Sequence, residues 1–209
     1  MGAIDVRQGW KDFQTRHGLV PDGVPGQQTL EAVIRLESNA DTDPGINRFG
    51  LGKQSQENMD GIHPDLLAVV HYAIKITQVD FGVPKQGGVR TLEQQKKLLK
   101  AGRSKTLHSR HLTGHAIDVY AYRGKPVWNH KDAGRIHNAF VRASRALSVP
   151  LRWGGDWDGD GDQRDQKFVD SFHHELPRSI YGISMESRSQ VAQDFLASIR
   201  AKQNEDAQI

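Results

Sequence analysis

The sequence predicts an α+β fold, a small antiparallel sheet flanked by helices, with a short helical module ahead of it. Three observations point there. Apolar residues recur at helical spacing in six separated stretches. Two short runs, His115–Tyr122 and Val149–Trp153, are instead β-prone. The 21 glycines supply the loops and tight turns between such elements. At 209 residues the chain suits one medium domain, or one domain with a small appendage.

Each element has a local reason. Val6, Trp10, Phe13 and His17 share a helical face that Gly18 ends; Thr29, Leu30, Val33, Ile34 and Leu36 begin a second helix after a Pro/Gly loop. Residues 37–60 are polar and punctuated by Gly and Pro, which predicts a linker and surface loop. Pro64 opens a helix with Leu66, Leu67, Val70 and Ile74 as its stripe. Residues 78–90 read as strand and loop. Thr91 and Gln94 form a capping-box pattern before Leu92, Leu98 and Leu99, with Gly102 at the stop. Asp132 is the expected cap of a helix carrying Ile136, Phe140, Ala143 and Leu147. Ser187 and Gln190 are expected to cap a last helix with Val191, Phe195 and Ile199 on one face.

Composition narrows the function classes. There is no cysteine, which excludes disulfides, thiolate metal sites and cysteine nucleophiles, so any metal sits on His, Asp or Glu. No apolar run approaches the roughly 18 residues of a spanning helix. The N-terminus lacks the basic start and apolar run of a secretory signal, so synthesis in the cytoplasm is the expectation. The net charge of +3 hides a polarised layout: residues 81–155 carry 15 Lys/Arg against 3 Asp/Glu, and residues 156–177 carry 2 against 7. A basic middle is either a solvated face or a surface for an anionic polymer. No basic helix interleaved with stacking aromatics supports nucleic-acid binding.

The chemistry concentrates in Ser109-Arg110-His111-Leu112-Thr113-Gly114-His115-Ala116-Ile117-Asp118. In an extended segment Gly114, Ala116 and Asp118 share a face, two small residues leading to a carboxylate, as a crowded metal pocket requires. A turn between His111 and Asp118 brings imidazole and carboxylate together, a donor set that suits a catalytic zinc with an open position. Alternation puts His115 on the opposite face, a structural place. A third ligand must come from elsewhere, and Asp170-Ser171-Phe172-His173-His174-Glu175-Leu176 offers several candidates. An Asp three residues before a His can act as general base without ligating the metal.

Three patterns together carry a resemblance: Ser109-x-His111-x-x-Gly114-x-Ala116-x-Asp118, then Trp153-Gly154-Gly155-Asp156-Trp157, then Asp170-x-x-His173-x-Glu175-Leu176. They resemble the zinc peptidases of peptidoglycan, which include D-alanyl-D-alanine carboxypeptidases and phage L-alanyl-D-glutamate endopeptidases. The likeness is closer to the phage endolysin branch. It runs from about Phe49 to Leu176 and includes His63-Pro64-Asp65-Leu66, Val79-Asp80-Phe81 and Arg90-Thr91. The resemblance implies His111, Asp118 and His173 as zinc ligands and Asp170 as catalytic carboxylate. It implies that Arg90 faces the substrate or the developing oxyanion, and that Ser109 and Glu175 orient ligands and strands. His174 stands where the family usually has an aromatic residue. His108, His130 and His137 read as surface or supporting histidines.

Two lesser signals accompany it. Asp156, Asp158, Asp160 and Asp162 match the opening of an EF-hand calcium loop, but the twelfth place is Lys167 rather than Glu. The alternatives are a Ca2+-binding loop and a solvated acidic loop. Phe13-Gln14, His17-Gly18-Leu19, Asp22-Gly23-Val24, Gly26 and Thr29-Leu30 resemble the second half of a peptidoglycan-binding helical module. The implied organisation is a wall-binding-like module at 1–40, a linker at 41–60, a zinc peptidase domain at 61–180, and a C-terminal helix and tail at 181–209. The implied protein is a monomeric phage-type endolysin that cuts the L-Ala–D-Glu bond of peptidoglycan. It reaches the wall after the membrane is permeabilised, drawn by its basic stretch to an anionic envelope surface. The alternatives are a D-alanyl-D-alanine carboxypeptidase of the same chemistry and a non-catalytic wall-binding protein.

Overall fold

The computed structural model describes residues 49–186 and 188–206, together with Lys11, Gln14, Thr15, Val20 and Pro21. The module expected at 1–40 therefore lies almost wholly outside the described residues, as does Ser187.

Three helices build the core: α2 (Pro64–Ile76), α4 (His130–Ala146) and, after the short α5 (Arg178–Tyr181), α6 (Gln190–Asp206). α2 is central. It buries Leu66, Ala68, Val69, Val70, Tyr72, Ala73 and Ile74, more than one stripe, because α4 and α6 both pack on it. Pro64 takes the first helical position and the His63 ring accepts from the Asp65 N–H. α4 contributes Ile136, Phe140 and Ala143, and α6 contributes Ala192, Phe195 and Leu196. Phe195 meets Tyr72 edge-on at 5.7 Å.

Two caps differ from expectation. The N-cap of α4 is Asn129, whose side chain accepts from the Asp132 N–H at 2.9 Å. Asp132 is spent on a two-pronged pair with Arg123, at 2.9 and 2.7 Å. α6 is capped by Ser189, whose Oγ accepts from the Ala192 N–H at 3.1 Å. The capping box of α3 (Leu92–Lys100) forms as expected, with both arms present, and Gly102 follows its C-cap with a positive φ. Its stripe does not bury: Leu92 is half exposed, and the buried residue of α3 is Gln95.

Residues 37–60 are more than a linker where they are described. α1 (Lys53–Glu57) lies there, and Leu51 and Met59 join the core. Residues 115–122 form not one strand but two, β2 (Ala116–Asp118) and β3 (Tyr120–Tyr122). The break is at Val119, whose N–H donates to the Phe172 carbonyl outside either ladder. The chain thereby changes sheets. β3 lies between β1 (Phe81–Gly82) and β4 (Pro126–Val127). In the second sheet β6 (His173–Glu175) lies between β2 and β5 (Arg152–Trp153). Among the described residues all the pairings are antiparallel, and they form two small sheets where one was expected.

Candidate metal centre

The second sheet assembles the site. In the β2–β6 register Asp118 stands opposite His173, so a carboxylate and an imidazole become cross-strand neighbours on one face. His111 arrives from a 3-10 turn, Arg110–Thr113, whose N-cap Ser109 accepts from the His111 N–H. The turn ends at Gly114, with φ of 69°. A Cβ there would collide with the carbonyl oxygen of Gly61. Gly114 is thus small because of its left-handed backbone and this close approach, and not because it shares an extended face with Asp118.

Three atoms converge. His111 Nε2 lies 3.2 Å from His173 Nδ1 and 3.2 Å from Asp118 Oδ1, and His173 Nδ1 lies 2.8 Å from Asp118 Oδ1. The far side of each ring decides its tautomer. His111 Nδ1 is 2.8 Å from the Gly88 carbonyl, and His173 Nε2 is 3.1 Å from Glu175 Oε2. Both partners accept only, so both of those nitrogens carry hydrogen. The lone pairs of His111 Nε2 and His173 Nδ1 then face each other and an anionic oxygen. Such a triangle repels itself unless positive charge occupies it. A tetrahedral ion with bonds of about 2.0–2.1 Å spaces its ligand atoms about 3.3 Å apart, close to what is seen. The residues fit a metal ion.

The electrostatics agree. Burial works to raise the Asp118 carboxyl, but His111 and His173 hold it well below the usual carboxylate range. Burial works to lower His173, but hydrogen bonding to Asp118 and Glu175 pushes it up to about 10. Burial lowers His111. The centre calls for a cation, or for a proton in its place.

Asp170 precedes His173 in a turn, and its carbonyl accepts from the His173 N–H at 3.0 Å. Burial, then repulsion from Asp118, raises its carboxyl. The Trp153-Gly154-Gly155 pattern explains how the turn is held. The indole of Trp153 donates to the Ser171 carbonyl at 2.7 Å, and Gly154 accepts from the Asp170 N–H at 2.7 Å. A Cβ on Gly154 would press on both the Asp170 carbonyl and the His173 side chain. Asp170, His173, Glu175, Arg90, Trp157 and Phe168 are among the walls of one open cavity of about 270 Å³. The Arg90 guanidinium pairs with Oδ2 of Asp118, the oxygen turned away from the two rings, and its Nε donates to the Gln86 carbonyl at 2.7 Å. Arg90 therefore orients Asp118 while also lining the cleft.

The other histidines separate cleanly. His115 is buried and engages the Thr113 and Ser184 carbonyls, away from the triangle. His174 stacks on Phe140 at 4.0 Å and so occupies an aromatic position as an aromatic ring. His137 stacks on Trp153 at 3.8 Å. His130 meets the Ser171 hydroxyl, and His108 lines the cleft. In the acidic loop Asp156, Asp158 and Asp160 gather, but Asp162 turns to Arg164 at 2.8–2.9 Å. Asp156 accepts from the Gly159 and Gly161 N–H groups. The Gly88 carbonyl was not legible in sequence, because any residue offers a carbonyl.

The chain is similar to known proteins. A family model described as phage L-alanyl-D-glutamate peptidase matches residues 47–177. The L-alanyl-D-glutamate peptidase of Escherichia phage T5 is 33% identical over 138 residues, which is 64% of this chain and 93% of that protein. That of Listeria phage A118 is 37% identical over 95 residues, 45% of this chain but 30% of that longer protein. The crystal structure of the Serratia marcescens L-Ala D-Glu endopeptidase ChiX superposes with a TM-score of 0.55 at 34% identity. That match covers 66% of this chain and 97% of the other.

Proposed function

We propose, since the chain belongs to the phage L-alanyl-D-glutamate peptidase family, that it is a zinc-dependent endolysin hydrolysing the L-Ala–D-Glu bond of peptidoglycan stem peptides. The observation that carries the metal is the triangle of His111, Asp118 and His173, each ring locked from behind so that a lone pair points inward. Nitrogen and carboxylate donors without sulfur suit zinc in a catalytic, open-sided site. When bound, zinc supplies an acidified water and a Lewis acid for the peptide carbonyl.

The chain's own residues do the rest. Asp170, raised by burial and then by Asp118, is the carboxylate that would take a proton from the attacking water. The same carboxyl then returns it to the leaving amine of D-Glu. Arg90 holds Asp118 by its outer oxygen and leaves the inner one for the metal. Glu175 holds His173 in the required tautomer. Residues 1–40 would add affinity for the wall. The basic stretch 81–155 would draw the enzyme to an anionic envelope, an attraction that added salt weakens.

Mass analysis of purified peptidoglycan digested with and without a chelator tests the reading. The expected result is chelator-sensitive appearance of D-Glu N-termini. Chelator-sensitive release of D-Ala alone would move the enzyme to the carboxypeptidase chemistry. No product in either arm would leave a wall-binding protein.

A further inference from the structure

The catalytic cleft is lined by six arginine and lysine side chains, and their partners can be followed one by one. Arg90 is on Asp118. Arg152 is on Glu175 at 3.2 Å and over the Trp157 ring. Arg110 is buried, with its Nε on the Leu176 carbonyl and a second nitrogen on that of Gly182. Arg178 donates to the His108 carbonyl. Arg103 and Lys105 remain: both are exposed and neither forms an ion pair among the described residues.

Their loop is nevertheless held firmly. Gln95 of α3 is fully buried beneath it, and its side-chain nitrogen donates to Ser104 Oγ at 2.7 Å and to the Thr106 carbonyl at 2.8 Å. Ser104 Oγ also accepts from the Thr106 N–H, and Thr106 Oγ1 accepts from the His108 N–H at 2.9 Å. Arg178 ties the far end through the His108 carbonyl. Ser104 and Thr106 are spent on this scaffold. Arg103 and Lys105 are the two unpaired cations that this loop, among the described residues, presents to the cleft, beside His108. Burying a glutamine to shape an exposed loop has an energetic cost, and a preorganised pair of charges is a return for it.

Two carboxylates, Asp170 and Glu175, also line the same cleft, and Arg152 pairs with Glu175. An anionic group held beside the Asp170 carboxylate meets a like charge unless the rim offsets it. A D-Glu residue after the scissile bond brings such a charge unless its free carboxyl is amidated. It has two carboxyl groups, the chain continues through one, and the other stays free within a few bonds of the leaving amine.

Resting on the function proposed above, we propose that Arg103 and Lys105 form a subsite for the free carboxylate of the D-Glu residue, and so determine specificity for an acidic residue on the leaving side. Arg103 offers a planar fork and Lys105 a point charge, a pair that suits a carboxylate. The subsite selects glutamate over its amide by charge, while catalysis stays with Asp170 and the metal ligands.

The test uses the full-length, zinc-loaded enzyme and two synthetic stem peptides. These differ only in whether the free carboxyl of D-Glu is an acid or a primary amide. Kinetics are measured for the wild type, Lys105→Gln, Lys105→Arg and the double variant Arg103→Gln/Lys105→Gln. The wild type is expected to prefer the acid by about 10- to 100-fold in kcat/KM, mostly through KM, as for a charge-assisted hydrogen bond. The double variant should bring that ratio to about 2 or below, and Lys105→Arg should keep most of it. Equal wild-type cleavage of both peptides would overturn the proposal. So would a double variant that keeps the preference, or one that loses both activities in the same proportion, the mark of a structural role. Failure of the wild type to cleave either peptide would reject the L-Ala–D-Glu reading itself, a result distinct from the others.

Discussion

Glu175 touches no substrate in the proposed scheme, yet Glu175→Gln should weaken the metal site measurably. Its Oε2 takes the His173 Nε2–H at 3.1 Å, and its other oxygen pairs with Arg152 at 3.2 Å. Glutamine keeps the size and one acceptor but removes the negative charge behind the imidazole, so Nδ1 becomes a poorer donor. Partners of this kind are worth about 10- to 100-fold in metal affinity, or ~1.4–2.7 kcal/mol. The Arg152 arm is a half-exposed ion pair and contributes at most about 1 kcal/mol to stability. Arg152→Gln is therefore the control: it breaks the same pair but leaves the carboxylate on His173. The assay is competition for zinc between metal-free protein and a chromophoric chelator at neutral pH, with circular dichroism to show that both variants fold. The expected order of affinity is wild type, then Arg152→Gln within about threefold, then Glu175→Gln at least about tenfold weaker. A Glu175→Gln protein with wild-type zinc affinity would refute the assignment of His173 Nδ1 as the ligating atom, because that assignment rests on the hydrogen bond to Glu175.

Three other perturbations read different parts of the structure. Asp170→Asn should lower kcat by about 10²–10⁴-fold while zinc content, measured by atomic absorption, stays at the wild-type level; loss of zinc would make Asp170 a ligand instead. Gly114→Ala meets both a positive φ and the Gly61 carbonyl, so urea unfolding should show a loss of at least about 2 kcal/mol, and an unchanged midpoint would contradict the left-handed turn. His71 is lowered from 6.5 to about 4 by burial, then by Lys75, so the folded protein resists a proton that the unfolded chain accepts. Its share of stability, up to ~3 kcal/mol, is present above pH 6.5 and lost as pH falls towards 4. Replacing it in His71→Gln should flatten the unfolding free energy across that window, and parallel pH curves for variant and wild type would exclude it.

What was legible in the sequence was what short spacing encodes. The seven-residue separation of His111 and Asp118 and the Thr91–Gln94 box are local: His111 and Asp118 gather with His173 in one group, and the box forms with both arms. What escaped was decided by distant contact. Residues 115–122 alternate throughout, but the Phe172 carbonyl captures the Val119 N–H and divides them between two sheets. Asn129 and Asp132 are both good caps, and the choice fell to Asn129 because Arg123 claims the Asp132 carboxylate. A polar run buried Leu51 and Met59 because two apolar residues suffice to pin a short helix to a core.

The charges through the site explain why so much polarity is tolerated near the core. Arg90, Asp118, His173, Glu175 and Arg152 form one chain of contacts in which cations and carboxylates flank the imidazole. Two arginines and two carboxylates cancel, so the framework is neutral before a metal is counted. A dication would add two positive charges, and ionised Asp170 beside it would offset one. One positive charge would then be left to meet an oxyanion developing on the peptide carbonyl. That balance fails if Arg90 is removed, because Asp118 would then answer to the metal alone and the surplus would fall by one. Through its pair with Asp118, Arg90 would thus tune that surplus without having to reach the substrate.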